Sequence, residues 1–229
     1  MNDTLVRLAI TQSELFSDWP DEAIARLIAH AEVLVVEPGT CVHHTADPAK
    51  YLTILVAGSM YLTREMSSGR TFTAGLHLAG EFHGLGPVLS HVPHFFNATC
   101  KEKTVLVRIP AELLREMIAS NGRLSFSLFA AQEKRHFRAL RLHASAAVET
   151  IQARVAGLLK SIDARSVSGR SGSAVNLSQD EIATMLGTRR QVVNRALKDM
   201  AEEGVIRVEY GRISILDNDK LAQMAPDSN

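Results

Sequence analysis

The spacing of hydrophobic residues changes character near residue 31 and again near residue 111. Residues 11–30 have a helical pattern in which Ile24, Leu27 and Ile28 share one face and Asp21 can cap the helix. Between residues 31 and 110, short runs rich in β-branched residues alternate with Gly, Pro and Ser turns, which predicts a sandwich or barrel-like roll. The predicted strands are 33–36, 51–58, 60–65, 71–78 and 104–110.

After Ala111 the pattern is helical. The run Leu124–His143 contains neither Gly nor Pro, which predicts a helix longer than usual, with apolar residues at Leu124, Leu128, Phe137 and Leu140. A long helix with such a stripe is typical of a dimer seam, although a helix buried in its own subunit would look the same. A second helix is predicted over roughly 148–164, followed by a mobile Gly/Ser-rich loop over 165–175.

The segment 177–217 has the pattern of a helix-turn-helix followed by a β-hairpin. Ser178 and Glu181 have capping-box spacing, and the helix they open has its buried face at Ile182, Met185 and Leu186. Ala183 is small, as a close helix crossing requires, and Gly187 stands where the turn needs a positive φ. Thr188 is then expected to cap the second helix.

This second helix would bury Val192, Val193, Ala196, Leu197 and Met200. Residues 205–209 and 212–216, separated by Tyr210 and Gly211, predict the hairpin that forms a wing. Spacing, caps and strand pattern therefore agree on a winged helix-turn-helix.

The exposed side of the second helix concentrates polar and basic residues. Arginine can bond bidentately to guanine, and Gln or Asn to adenine, while other basic residues bind phosphates. The alternatives are a solvated helix face or a winged helix used for protein contacts. The candidate DNA-contacting residues are Ser178, Thr188, Arg189, Arg190, Gln191, Asn194, Arg195 and Lys198.

Composition limits the other function classes. The net charge is zero, with 25 basic and 25 acidic residues, so any DNA-binding surface must be local. Two cysteines, no apolar membrane span and no signal-peptide pattern predict a cytoplasmic protein without a disulfide framework. The sequence has none of the nucleophile-elbow, zinc-protease or phosphate-loop motifs, so we expect no enzyme activity.

On these residues the chain resembles the CRP/FNR superfamily of bacterial regulators over nearly its whole length. Turn residues in the β-rich region fall where that family places them: Pro38-Gly39, Asp47-Pro48, Gly58, Gly69 and Gly80–Gly84. The resemblance implies an α+β fold with an antiparallel, jelly-roll-like β-roll and flanking helices, a long dimerisation helix and a C-terminal winged helix-turn-helix. The implied domains are 1–122, 123–146 and 147–220, with a flexible tail over 221–229.

The resemblance also implies a homodimer that reads a palindromic operator in double-stranded DNA, with RNA polymerase as a further partner if the chain is an activator. By position, Arg190, Gln191 and Arg195 match the family's main base-reading residues, and Asn194 faces the groove. Many members carry Glu at the position of Gln191, so a change in the usual half-site is expected.

The sensor region departs from the cyclic-nucleotide binders of this family. Leu85 follows Gly84 where those members have Glu, and His94-Phe95 stands near their phosphate-gripping pair, so cyclic AMP is not the expected effector. Ala139 and Leu140 stand where a purine would meet the long helix. Two cysteines are too few for an iron–sulfur cluster, which leaves haem, a metal, another small molecule or no ligand as the alternatives. The implied effector-pocket residues are Gly80, Glu81, Phe82, His83, Gly84, Leu85, His94, Phe95 and Leu140.

Histidines are frequent around this turn, with His43-His44 upstream. Their spacings match no metal motif of fixed geometry, so no metal site is predicted, and surface or core-edge histidines would explain them. Haem ligation by one of them is the alternative, which would make the chain a haem-based sensor of CO, NO or O2. The haem-ligand candidates are His77, His83, His91 and His94.

Overall fold

The computed structural model describes residues 2–163 and 174–225, and the chain forms two compact units, residues 1–137 and 138–229. The boundary between the two units falls inside the long helix, because Leu124 just before this helix and Leu128 and Ala131 in its first turns pack into the core of the first unit.

The first unit contains two four-stranded antiparallel sheets. The strands are β1 (Glu32–Val36), β2 (Cys41–His43), β3 (Tyr51–Ala57), β4 (Ser59–Glu65), β5 (Thr71–Leu78), β6 (Phe82–His83), β7 (Asn97–Cys100) and β8 (Thr104–Pro110). One sheet has the order β1-β8-β3-β6, the other β2-β7-β4-β5, and all pairs are antiparallel. All five predicted strands are confirmed, and β2, β6 and β7 were missed because each is only two to four residues long.

Strands β3 and β8 are apolar on both faces because both faces are covered. Successive strand residues point to opposite sides of a sheet. Accordingly, Ile54 and Val107 join a core shared with helices, whereas Leu55 and Leu106 join a second core with Met60 and other residues of the facing sheet. The alternation therefore places the first sheet between the second sheet and the helices.

The helices of the first unit are α1 (Asn2–Thr11), α2 (Asp21–His30), α3 (Leu85–Ser90) and α4 (Ala111–Ser120), and α5 (Ser125–Val148) begins in this unit and continues into the second. In α2, Ile24 and Leu27 are buried as predicted, but the N-cap residue is Pro20 and not Asp21, which lies in the first turn. The start of α5 is fixed by Trp19, whose indole donates to the Leu124 carbonyl and to Ser127 Oγ, both at 3.0 Å.

Helix α5 has two apolar faces, one buried in the first unit and one exposed. Leu128 and Ala131 are buried in the first unit. The exposed large apolar residues of α5 are Phe126, Phe129, Phe137, Leu140 and Val148. The helix extends past the predicted end at residue 143 to Val148, and most of the large apolar side chains whose burial the structure describes are exposed in the single chain.

The second unit contains α6 (Ile151–Asp163), β9 (Ala174–Val175), α7 (Gln179–Met185), α8 (Arg190–Glu202), β10 (Ile206–Glu209), β11 (Arg212–Ile215) and α9 (Asn218–Met224). The wing hairpin is confirmed, and β9 adds a third strand in the order β10-β11-β9. The predicted loop 165–175 lies outside the described residues except for β9, which is a strand. Residues 221–224, assigned from the sequence to a tail, belong to α9, where Leu221 is buried.

Both cysteines are free thiols, Cys41 half-buried on β2 and Cys100 buried on β7. Among the described residues, no helix combines the length and hydropathy needed to cross a bilayer.

Candidate nucleic-acid interface and sensor site

The capping box predicted at the start of α7 is present. Ser178 Oγ accepts from the Glu181 backbone N–H at 3.2 Å, and the Ser178 N–H donates to Glu181 Oε2 at 2.6 Å. Gly187 has a φ of +61°, as the turn after α7 requires. The N-cap of α8 is Arg189, without a side-chain bond, so the predicted capping role of Thr188 is wrong by one residue. Thr188 instead donates its backbone N–H to the Ala183 carbonyl at 2.9 Å.

Helix α8 has one buried and one polar face. Val193, Ala196, Leu197 and Met200 are buried, whereas Val192 is 40% exposed and does not belong to the buried face predicted for it. All the DNA-contact candidates on or next to α8 are exposed except Thr188, which is half-buried. The exposed ones are Arg189, Arg190, Gln191, Asn194, Arg195 and Lys198.

Gln191, Asn194, Arg195 and Lys198 follow the spacing i, i+3, i+4 and i+7, which places them in one stripe along α8. Arg190 lies at the edge of this stripe, where its guanidinium pairs with the Asp180 carboxylate of α7 at 3.2 Å. Lys198 pairs with Glu202 one turn further along α8, at 3.6 Å. Both pairs are exposed and contribute little stability, so either cation can exchange its partner for a phosphate or a base.

The wing stands beside the recognition-type helix. Tyr210 at its tip is fully exposed, and Gly211 has a φ of +68° in the turn. A surface cavity of about 460 Å³ lies between α8 and the wing, lined by Asn194, Lys198 and Arg207 among others. The polar stripe and the wing thus flank one shared surface of the second unit.

The implied effector pocket is only partly assembled. His83, Gly84 and His94 come together: Gly84 has a φ of +90°, and a Cβ added there would lie 2.9 Å from the Tyr51 carbonyl oxygen and 3.5 Å from His94 Cε1. Phe82 is buried beside His83 on β6, and its carbonyl accepts from Arg135 Nη1 at 2.5 Å. This part of the turn is therefore closely packed against neighbouring backbone and side chains.

The other pocket residues point elsewhere. Glu81 turns back to accept the Leu78 N–H at 2.7 Å, and Leu85 is buried in the helix-facing core. Phe95 is 59% exposed, with the Arg64 guanidinium 3.7 Å from its ring centre. Gly80 is exposed in the turn before β6, with a φ of +87°. Leu140 is exposed and belongs to the second unit.

Three histidines converge at the pocket turn. His43 Nε2 lies 2.7 Å from His83 Nε2, and one ligand nitrogen from each of His43, His83 and His94 lies within 4.8 Å of the others. The His43 ring stacks on His94 with centroids 3.5 Å apart. The sequence-based expectation of no metal site rested on local spacing, which does not reveal this cluster because its members come from β2, β6 and the loop before β7.

A fourth histidine, the buried His77 on β5, lies against this cluster, with its ring 5.6 Å from that of His83. His91, also a haem-ligand candidate, is exposed at the end of α3 and is not part of the cluster. His43 was not among the ligand candidates, and no local pattern marks it, because only the pairing of β2 with β7 brings it near His94.

Burial keeps these imidazoles neutral. It lowers the pKa of His43 from 6.5 to about 4, with the charge of His94 as the second cause, and it lowers the pKa of His94 as well. Burial also lowers the pKa of His83 well below its usual value, with further contributions from the neighbouring histidines and Arg135. The Nδ1 atoms of His43 and His94 are buried without a hydrogen-bond partner among the described residues, at a cost of about 1–3 kcal/mol each.

Each of the two units contains a segment that matches a known domain. Residues 33–121 match the cyclic nucleotide-binding domain, and residues 153–224 match the Crp-like helix-turn-helix domain. The chain is 26% identical over 220 residues to the CRP-like cAMP-activated global transcriptional regulator of Mycobacterium tuberculosis, covering 94% of this chain and 98% of that protein. It is 24% identical over 214 residues to the cyclic AMP receptor protein of Thermus thermophilus, covering 93% and 97%.

The fold is shared with solved structures. FixK2 from Bradyrhizobium japonicum superposes with a TM-score of 0.76 at 21% identity, covering 87% of this chain and 99% of that one. The β-roll, the long helix and the winged helix-turn-helix predicted from the sequence are therefore confirmed as one architecture.

Proposed function

Because the chain belongs to the CRP/FNR family of bacterial transcription regulators, we propose that it binds a two-fold operator in double-stranded DNA as a homodimer. One observation carries this proposal: α8 exposes a continuous polar stripe on the face opposite its buried residues, within a capped helix-turn-helix. We propose further that the chain acts by binding and not by catalysis, in the cytoplasm, where bacterial DNA lies.

The stripe divides into base-reading and phosphate-binding residues. Gln191, Asn194 and Arg195 lie in the first turns of α8, the part of a recognition helix that contacts base edges in the major groove. Arg190 belongs with them once it leaves Asp180, and this ion pair holds its guanidinium at the edge of the same face. Lys198 lies further along the helix, where a compact, flexible cation suits a phosphate better than a base.

The test begins with operators enriched from a random duplex pool by the wild-type protein. Fluorescence anisotropy at several salt concentrations then gives the dissociation constant for enriched and scrambled duplexes. Arg195→Ala should raise the constant for the enriched duplex by roughly 5- to 150-fold, since a bidentate base contact contributes about 1–3 kcal/mol. Lys198→Ala should instead weaken binding to both duplexes and reduce the salt slope by about 1.

Two further variants sharpen the result. Gln191→Glu should move the preference at one half-site position from adenine toward cytosine, because a carboxylate accepts from the cytosine amino group. Arg123→Ala, an exposed arginine of the first unit, is the matched control and should leave affinity unchanged. Failure to enrich any sequence, or equal affinities for wild type and Arg195→Ala, would refute base reading by α8 and favour a protein-contacting winged helix.

We propose that the effector is not cyclic AMP, although the M. tuberculosis relative is described as cAMP-activated. Where the resemblance places the phosphate-gripping pair, His94 is a buried imidazole with a lowered pKa, and Phe95 faces solvent beneath Arg64. Neither residue offers a cation to a buried phosphate. Adding cyclic AMP to the same titration should therefore leave the dissociation constant unchanged.

A further inference from the structure

We propose that His43, His83 and His94 bind one divalent transition-metal ion inside the β-roll. Their ligand nitrogens already lie within 4.8 Å of one another, and the closest pair is 2.7 Å apart. Nitrogens bound to Zn²⁺ at 2.0–2.1 Å in a tetrahedron are roughly 3.3 Å apart. The rings of His43 and His94 stack within 14° of parallel, so binding one ion requires the rings to rotate until their in-plane lone pairs converge.

Hydrogen bonding within the cluster does not account for three adjacent imidazoles. A neutral imidazole has one N–H donor and one acceptor nitrogen. Among the described contacts between His43, His83 and His94, only that between His43 and His83 is a hydrogen bond. His43 Nδ1 and His94 Nδ1 have no hydrogen-bond partner among the residues that the structure describes. Lone pairs on buried, neutral imidazoles are what a borderline-soft cation binds.

The backbone holds the three ligands in place before any ion arrives. The His94 carbonyl accepts from the Ala46 N–H at 2.8 Å, and the His94 N–H donates to the Asp47 carbonyl at 2.9 Å. These bonds fasten His94 to the segment that directly follows β2 and its His43. On the other side, Gly84 lets the chain turn at His83 so close to Tyr51 that any side chain would collide with its carbonyl.

The donor set indicates which ions fit. Three imidazoles without a carboxylate favour Zn²⁺, Co²⁺, Ni²⁺ or Cu²⁺ over Mg²⁺ or Ca²⁺, which take oxygen ligands. Three protein ligands leave a fourth position for water or a small anion, as in open zinc sites. A haem iron would use fewer of these histidines, since the porphyrin occupies its equatorial positions.

A second layer links the cluster to the long helix. Arg135 of α5 donates to His77 Nε2 at 3.2 Å and to the Phe82 carbonyl on β6 at 2.5 Å. Rotation of the His83 ring toward an ion would therefore act on the neighbouring His77 ring, 5.6 Å away, and through it on Arg135. If the chain binds an operator as proposed above, the ion is its effector, and ion binding changes the affinity for the operator through α5.

The experiment uses the full chain, stripped with a chelator and titrated with Zn²⁺ and Co²⁺ by calorimetry and visible absorption. We expect one ion per chain and the intense Co²⁺ absorption typical of a four-coordinate site. His83→Ala and His94→Gln should each weaken binding by more than the roughly 10- to 100-fold that loss of an outer-shell partner causes, because each removes a ligand. The matched controls are His44→Ala and His91→Ala, two exposed histidines close in sequence, which should bind as the wild type does.

Absence of stoichiometric binding by the wild type, or equal binding by His94→Gln with circular dichroism unchanged, would overturn the proposed site. Haem is added in a separate titration. A Soret band that the wild type shows and that His83→Ala and His94→Gln lack would overturn the assignment to a bare ion and favour a haem-based sensor.

The effector role of the ion is tested with Arg135→Met, which keeps all three histidines. We expect it to bind Co²⁺ normally but to lose the dependence of operator affinity on the ion. Ion binding with no effect on wild-type operator affinity would overturn the effector role. A wild-type protein that binds one ion per chain but no operator would overturn the proposed function and leave the metal site supported.

Discussion

The exposed apolar stripe of α5 gives a quantitative prediction about dimerisation. Phe126, Phe129, Phe137 and Leu140 recur at helical spacing, and Phe137 is 61% exposed in the single chain. A phenylalanine side chain has about 200 Å² of surface. Burying the exposed part of Phe137 against a second copy therefore removes about 120 Å² from water, equivalent to about 3 kcal/mol. Since a symmetric dimer contains two copies, Phe137→Ala should weaken it by about 4–6 kcal/mol, or roughly 10³- to 10⁴-fold.

Sedimentation equilibrium over a range of protein concentrations measures this effect directly. The matched control is Phe72→Ala, which removes a similarly exposed phenylalanine, 47% exposed, from β5 of the β-roll and not from α5. Circular dichroism should show that both variants fold, because neither side chain is part of a core. A dissociation constant that changes less than about tenfold in Phe137→Ala would refute the assignment of this stripe to the dimer seam.

Two further predictions concern stability. Ser178→Ala removes the capping box of α7 and should destabilise the second unit by about 1 kcal/mol, seen as a lower Tm by calorimetry, whereas Ser178→Asp should keep the cap and the Tm. In metal-free protein, unfolded histidines take up protons near pH 6.5 but folded His43 does so only near pH 4. Burial lowers the pKa of His83 as well, so the free energy of unfolding should fall as the pH drops below about 6.5, by up to roughly 1.4 kcal/mol per pH unit for each histidine. A Tm that stays level from pH 7 to pH 5 in chelator would contradict this.

Local patterns in the sequence determined the winged helix-turn-helix. The capping box at Ser178, the positive φ at Gly187 and the wing turn at Gly211 are formed by residues close together in the chain. Such features are set by caps, turns and periodicity, and the structure shifts only details, such as the cap of α8 and the exposure of Val192.

The same holds for the longer strands, whose apolar runs are visible because several consecutive residues share one environment. Strands β2, β6 and β7 are too short to leave such a pattern, and only their pairing with distant strands defines them. The placement of Arg135 against β6, likewise, depends on packing between segments 53 residues apart.

The histidine cluster was decided by tertiary structure alone. The sequence shows histidines near the pocket turn, but it separates His43 from His83 by 40 residues and offers His91 as an equal candidate. Sheet pairing brings His43 to His83 and His94, whereas His91 stays exposed at the end of α3. A helix surface is set by residues a few positions apart, but a site built from separate short strands exists only once long-range backbone pairing has fixed their register.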